Sequence, residues 1–373
     1  MNKRNHAQHS TPNVPHVEGV STPFVRDYTV DNYRGFVIFI VFLWCCVFLF
    51  MPSDQDFLWV WHTDAHGVDI GFGMMDYGIM MFLLATGLVM NVTFSRKVAS
   101  GQSPKQTRIA YLRRGLTVMG VGCFNLAFLT VGLNSVHDPY GWEVFMNIGF
   151  SSMLASFFLG RKKWVRVLSG ALFLAVYALI SEFIPIVHQS LLSNKLSYGG
   201  PFASIGLTGM LLWFTVLGDL FQQKNKRNFL LGILAVWLLA IPPAVLSFRS
   251  TTGAVSNLVY ADLTPIERIF CISFNNFSTG FILFGGGIAL LTFLPWWGIS
   301  ALLRREIPLL ATMGKNTVPF FFLYGICNLP AEAIANAFPD RPVVGCLLNA
   351  LLVLVLTLPL AYLFERKKIV IKA

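Results

Sequence analysis

YRGFVIFIVFLWCCVFLFM, residues 33–51, is an apolar run of 19 residues whose single charge, Arg34, stands at its beginning. A helix of that length rises about 28 Å, close to the ~30 Å hydrocarbon core of a bilayer. It is not a cleavable signal: no small-residue cleavage site follows, and the next residues include Asp54, Asp56 and Trp59. Working outward, further apolar runs lie at about 74–95, 115–134, 145–160, 164–187, 205–221, 229–248, 270–294, 314–336 and 343–364. With 55% hydrophobic and 12% charged residues, the chain reads as an integral membrane protein. The expected fold is all-α, a polytopic bundle of about ten transmembrane helices. Residues 1–25, polar and containing His and Pro, read as a disordered tail, and 26–373 as one membrane domain without a convincing internal repeat.

The net charge of +10 could suggest a nucleic-acid partner, but its distribution argues otherwise. Of the 28 Lys and Arg residues, all but Lys195, Arg249, Arg268 and Arg341 fall in the tail, the mouth of the first run and every second connection. That asymmetry follows the positive-inside rule and puts both termini in the cytoplasm. The basic charge is therefore topological, and no nucleic acid is expected. The six cysteines, 45, 46, 123, 271, 327 and 346, lie mostly within apolar runs and lack metal-ligand spacing. They read as small core side chains, not a disulfide framework.

The loop after the first run is the richest in titratable groups. It reads Ser53-Asp54-Gln55-Asp56 … Trp61-His62-Thr63-Asp64-Ala65-His66-Gly67-Val68-Asp69, with Asp76 at the start of the next run. By the charge rule this loop is extracytoplasmic. A neutral imidazole can take a proton from a hydroxyl or amine, and a carboxylate can fix its tautomer. His66 with Asp76 is one such pair; His62, four residues earlier, is a rival. A solvated His and a carboxylate paired elsewhere is the plain alternative. The two histidines with Asp64 and Asp69 could ligate a divalent ion, but no recognisable ligand motif is present and no metal is expected.

Other candidates have plain alternatives too. Asp31 and Arg34 share a helical face at the mouth of the first run and can pair, or simply anchor it. Arg96, Lys97, Lys105, Arg108, Arg113 and Arg114 crowd one connection, as topological charge or as a phosphate clamp. In Gly314-Lys315-Asn316 the Asn can cap a helix or bind a ligand. Asp219 and Glu182 near run ends read as interfacial, and Asn125, Asn147, Asn275 and Asn276 as interhelical hydrogen-bonders.

Taken in order, Asp31-x-x-Arg34-Gly35, an outer loop with His66, Asp76, Gly87, Arg113-Arg114-Gly115 and Met313-Gly314-Lys315-Asn316 resemble the transmembrane acyltransferase superfamily. That group includes heparan-alpha-glucosaminide N-acetyltransferase and bacterial YeiB-like membrane proteins. The resemblance is best over residues 26–120 and weaker at 140–160 and 311–330. It departs at Cys45-Cys46, where relatives can carry an Asn, and at Phe145-Met146-Asn147-Ile148, where a Leu-Gln-Arg-like stretch is usual. The resemblance implies transfer of an acyl group, usually acetyl, from cytoplasmic acyl-CoA to an extracytoplasmic glycan or sugar. It implies His66 as the catalytic histidine with Asp76 its partner. Asp31, Arg34, Arg113, Arg114 and Asn316 would lie near the acetyl-CoA donor. Whether the histidine carries the acetyl group or acts as a base in direct transfer stays open.

The expected setting is a bacterial cytoplasmic (inner) membrane, with lipids, the glycan acceptor, and a second copy or polysaccharide-synthesis proteins as partners. Two other classes remain. A transporter or lipid-linked-sugar translocase would use Asp76, Asp219 and Glu182 for coupling. A non-catalytic scaffold would use the His66 loop as a docking surface.

Overall fold

The computed structural model describes residues 28–43, 70–71, 73, 75–132, 142–192, 197–248, 251–252, 255–256, 260–274, 276–303, 305–338 and 341–371. Within them the chain is helical, apart from Thr251–Thr252 (β1) paired antiparallel with Val255–Ser256 (β2). The first six helices are α1 (Tyr28–Leu43), α2 (Gly78–Ala99), α3 (Pro104–Gly132), α4 (Val144–Ser156), α5 (Lys163–Phe183) and α6 (Pro185–Leu192). They are followed by α7 (Gly200–Gln222), α8 (Lys226–Phe248), α9 (Pro265–Phe270), α10 (Thr279–Leu303), α11 (Pro308–Lys315), α12 (Thr317–Ala337) and α13 (Pro342–Arg366).

Six of these, α2, α5, α7, α8, α10 and α13, are each long and apolar enough to cross a membrane. The chain is a helical membrane protein. Several expected runs are subdivided. The run at 164–187 breaks at Ile184, whose extended backbone (φ −93°, ψ 108°) is what a following proline enforces, and Pro185 opens α6. The run at 314–336 breaks at Asn316, between α11 and α12. α3 starts earlier than its apolar stretch, at Pro104, so the basic residues from Lys105 to Arg114 are helical. α4 has only 13 residues, about 20 Å of rise. The first run is described only to Leu43, so Cys45 and Cys46 lie outside the described residues, as does the tail.

Burial separates a centre from a rim. The apolar windows of α2 and α7 are 78% and 72% buried, against 33% in α5 and 28% in α8 and α13. Leu172, Leu179, Leu238, Leu347 and Leu351 face outward from the rim helices, as side chains bathed in lipid tails do. In the centre, where lipid and Leu are equally apolar, small residues let helices approach. A Cβ on Gly87 of α2 would lie 2.4 Å from Phe214 Cβ of α7, and one on Gly218 of α7 would lie 2.5 Å from the Leu88 carbonyl oxygen. Around this pair stand α1, α3, α4, α5 and α10, with α11 laid against α1 and α12 against α3.

Candidate functional site

The first turns of α1 tie four helices together. Asn32 Oδ1 accepts from the backbone N–H of Ile307 at 3.0 Å, ahead of α11. Tyr33, fully buried, places its hydroxyl 2.9 Å from Thr292 Oγ1 and donates to the Ala289 carbonyl at 3.2 Å, both on α10. Arg34 donates to the carbonyls of Gly314 at 3.4 Å and Ala85 at 3.3 Å, bridging α11 and α2. The α1–α11 approach depends on two glycines. A Cβ at Gly35 would stand 1.8 Å from the Leu310 carbonyl oxygen, and one at Gly314 would stand 2.2 Å from that of Asp31. Asp31, Arg34, Gly35 and Gly314, far apart in sequence, thus form one joint.

From that joint Arg34 reaches into a cavity of about 70 Å³. α2 contributes Phe82, Thr86, Val89, Met90 and Thr93; α3 contributes Tyr111, Arg114, Gly115 and Val118. Ile148 and Ser152 of α4 and Thr317 and Phe321 of α12 complete the wall. Two guanidinium groups and no carboxylate line it, so the chamber suits an anion or a polarised carbonyl. Both Arg113 and Arg114 are exposed, but Arg114 belongs to the wall and Arg113, one residue away on the helix, lies outside it. Tyr111 fixes the wall by donating to the Met90 carbonyl at 2.9 Å.

Aromatic rings close the cavity toward the α2 N-terminus. Phe82 meets Phe321 edge-to-face with centroids 5.0 Å apart, and Phe145 of α4 packs on Phe321 at 4.2 Å. All three are buried. Beyond them, six residues or about 9 Å along α2 from Phe82, Asp76 sits in the turn Met75–Tyr77 and is 1% exposed. Asp76 therefore stands on the other side of the ring cluster from Arg34 and Arg114. His62 and His66 lie outside the described residues, and with them the His66–Asp76 pairing.

Asn316 occupies a different role from the cavity lining. Its Nδ2 donates to the carbonyls of Thr312 at 3.0 Å and Ile369 at 3.1 Å, and its Oδ1 accepts from the Ile371 N–H at 2.7 Å. The amide ties the end of α11 to the segment after α13. Asp219 accepts from Arg166 and, at 2.9 and 3.0 Å, from Asn91 Nδ2; Arg166, 1% exposed, also donates to Thr215 at 2.8 Å. Glu182 accepts from Arg268 at 3.0 Å. Both carboxylates are thus engaged by buried or half-buried cations, as apolar surroundings demand. Burial pushes the Cys271 thiol up, so it stays protonated among apolar neighbours. Among the described residues no three His, Cys, Asp or Glu side chains cluster as metal ligands do.

In comparison with known proteins, the chain matches no family model and no curated protein. Within the structure, Arg34 and Arg114, singled out from the sequence, line this cavity, whereas Tyr111, Thr86 and the ring cluster that also line or border it were not singled out. The signal for Tyr111 was its spacing of three and four residues from Arg114 and Gly115, which shares their helical face. Nothing local could single out Phe82, Phe145 and Phe321 among 34 phenylalanines.

Proposed function

We propose that this protein is an integral-membrane acyltransferase that moves an acetyl group from cytoplasmic acetyl-CoA to a glycan or sugar on the far side of the membrane. The observation that carries the reading is the cavity that joins Arg34 and Arg114 in a wall without carboxylates. Both arginines belong to the pattern resembling transmembrane acyltransferases, and their convergence supports that resemblance independently of spacing. The cavity is too small for a whole CoA, so it takes the pantetheine arm, which carries the thioester through the rings to the acceptor, with the nucleotide outside among the basic residues of the α2–α3 connection. Arg114 holds phosphate or carbonyl oxygens, and Arg34 does so from the α1 joint. His66, supported by Asp76, takes the acceptor's proton beyond the rings.

The reading includes ten spans, the six long helices together with α1, α3, α4 and α12, and both termini on the basic, cytoplasmic face of a bacterial inner membrane. Labelled acetyl-CoA supplied to one face of sealed vesicles tests it. Acetylation of glycan is expected only when acetyl-CoA meets the basic face. His66→Ala is expected to abolish it at unchanged protein abundance, and Arg114→Ala to weaken acetyl-CoA use roughly tenfold or more, the loss of one charge-assisted contact. Full activity of the His66→Ala protein, or transfer from the wrong face, sinks the reading.

A further inference from the structure

Asn125 of α3 is fully buried, yet neither its Nδ2 nor its Oδ1 has a hydrogen-bond partner. An amide desolvated on both sides is costly in any protein interior, and more so at membrane depth. Asn91 binds Asp219 and Asn147 binds the Tyr198 carbonyl, while Asn32, Asn276 and Asn349 each have a partner for one amide atom and none for the other; among the described buried asparagines both atoms are orphaned at Asn125. Asn125 is the exception that needs a reason.

Its position supplies one. Tyr111, Gly115 and Val118 of α3 line the cavity, and Gly122 and Asn125 continue the same alternation of four and three residues. On α12, Thr317 and Phe321 line the cavity, and Gly325 follows on that face four residues later. The two faces meet again at Asn125, because a Cβ on Gly325 would lie 2.5 Å from Asn125 Oδ1. Asn125 thus lies on the continuation of both walls, seven residues or about 10 Å beyond Val118 along α3 and past the ring cluster.

We propose that Asn125 is a substrate-binding residue, a polar station past the phenylalanine seal that takes a group able both to donate and to accept a hydrogen bond. An amide offers one acceptor and two donor hydrogens, and its complement is a hydroxyl or another amide. Such groups come from two sources: the pantetheine arm of an acyl-CoA threaded through the seal, or the hydroxyls of a sugar entering from the opposite end. The inference rests on the acyltransferase reading for these two sources, but the orphaned amide stands without it.

Thermal melting of detergent-purified wild type and Asn125→Leu, with CoA, with N-acetylglucosamine and without ligand, tests it. Leucine is the apolar isostere of asparagine. Without ligand the variant is expected to melt at or above wild type, since it removes an unsatisfied buried amide. Its apparent affinity for one of the probes is expected to fall roughly ten- to hundredfold. Loss of the CoA response assigns Asn125 to the pantetheine arm, and loss of the sugar response to the acceptor. Asn125→Ala, which leaves more space, gives the same readings should leucine not fit. If both variants melt below wild type, the amide has a structural partner and the proposal fails. It also fails if both probe responses are unchanged, or if wild type responds to neither probe. A wild type stabilised by the sugar and not by CoA overturns the acyltransferase reading while leaving Asn125 to be judged by the variant.

Discussion

Gly35 shows how much one hydrogen atom can hold in place. Its Cα lies against the α11 backbone, and a methyl group there would overlap the Leu310 carbonyl at 1.8 Å. Backbone cannot rotate away as a side chain can, so α1 and α11 must separate, at a cost of about 1–3 kcal/mol or more. Arg34, the preceding residue, would lose its grip on Gly314. Gly35→Ala is therefore expected to lower the melting temperature and to abolish acetyl-CoA binding together. Gly120→Ala is the control: its added Cβ meets nothing within 4 Å, and alanine is the better helix former, so stability should hold or rise. Equal melting of the two variants would show that the joint does not bear on folding. At this scale sequence was half legible. Spacing put Asp31, Arg34 and Gly35 on one turn. That Asn32 and Tyr33 between them reach α11 and α10 depends on contacts more than 250 residues away in sequence.

At the scale of elements, the break at Asn316 is informative. The apolar run there looks continuous, but α11 lies against α1 while α12 packs against α13 and α3. Asn316 fills the gap by bonding the last turn of α11 and the segment after α13. Asn316→Ala orphans the Ile371 N–H and loses two carbonyl contacts, which is expected to cost about 1–3 kcal/mol. Because the amide does not line the cavity, acetyl-CoA affinity should stay near wild type once the protein is folded, as calorimetric titration of the purified variant would show. A selective loss of affinity at unchanged stability would return Asn316 to the donor site. Cap and ligand chemistry draw on the same residue type, so sequence alone left both roles open. The Asp219 network was hidden for a related reason: a carboxylate at a run's end is visible, but its partner Arg166 is 53 positions away.

For the molecule as a whole, apolar runs were the most legible feature, since lipid imposes helix on every crossing segment. The number of long helices, the short α4 and the separation of central from rim helices were not legible, because hydropathy measures greasiness and not which neighbour a side chain meets. The cavity is a property of five helices at once. Its seal of three hydrocarbon rings has an electrical consequence for the proposed reaction. Forming an ester on one side releases a proton from the acceptor there, while the departing CoA thiolate takes up a proton on the other. The rings of Phe82, Phe145 and Phe321 carry no titratable group, and the one carboxyl beside them, Glu143, accepts from the Phe145 N–H at 2.6 Å, so separation holds where Glu143 does not bridge the two sides. Each turnover would then export one positive charge, working against an inside-negative voltage at about 2.3 kcal/mol per 100 mV. Proteoliposomes clamped at such a voltage should acetylate more slowly than depolarised ones and acidify the acceptor compartment by one proton per ester; rates indifferent to voltage would mean that protons leak past the rings.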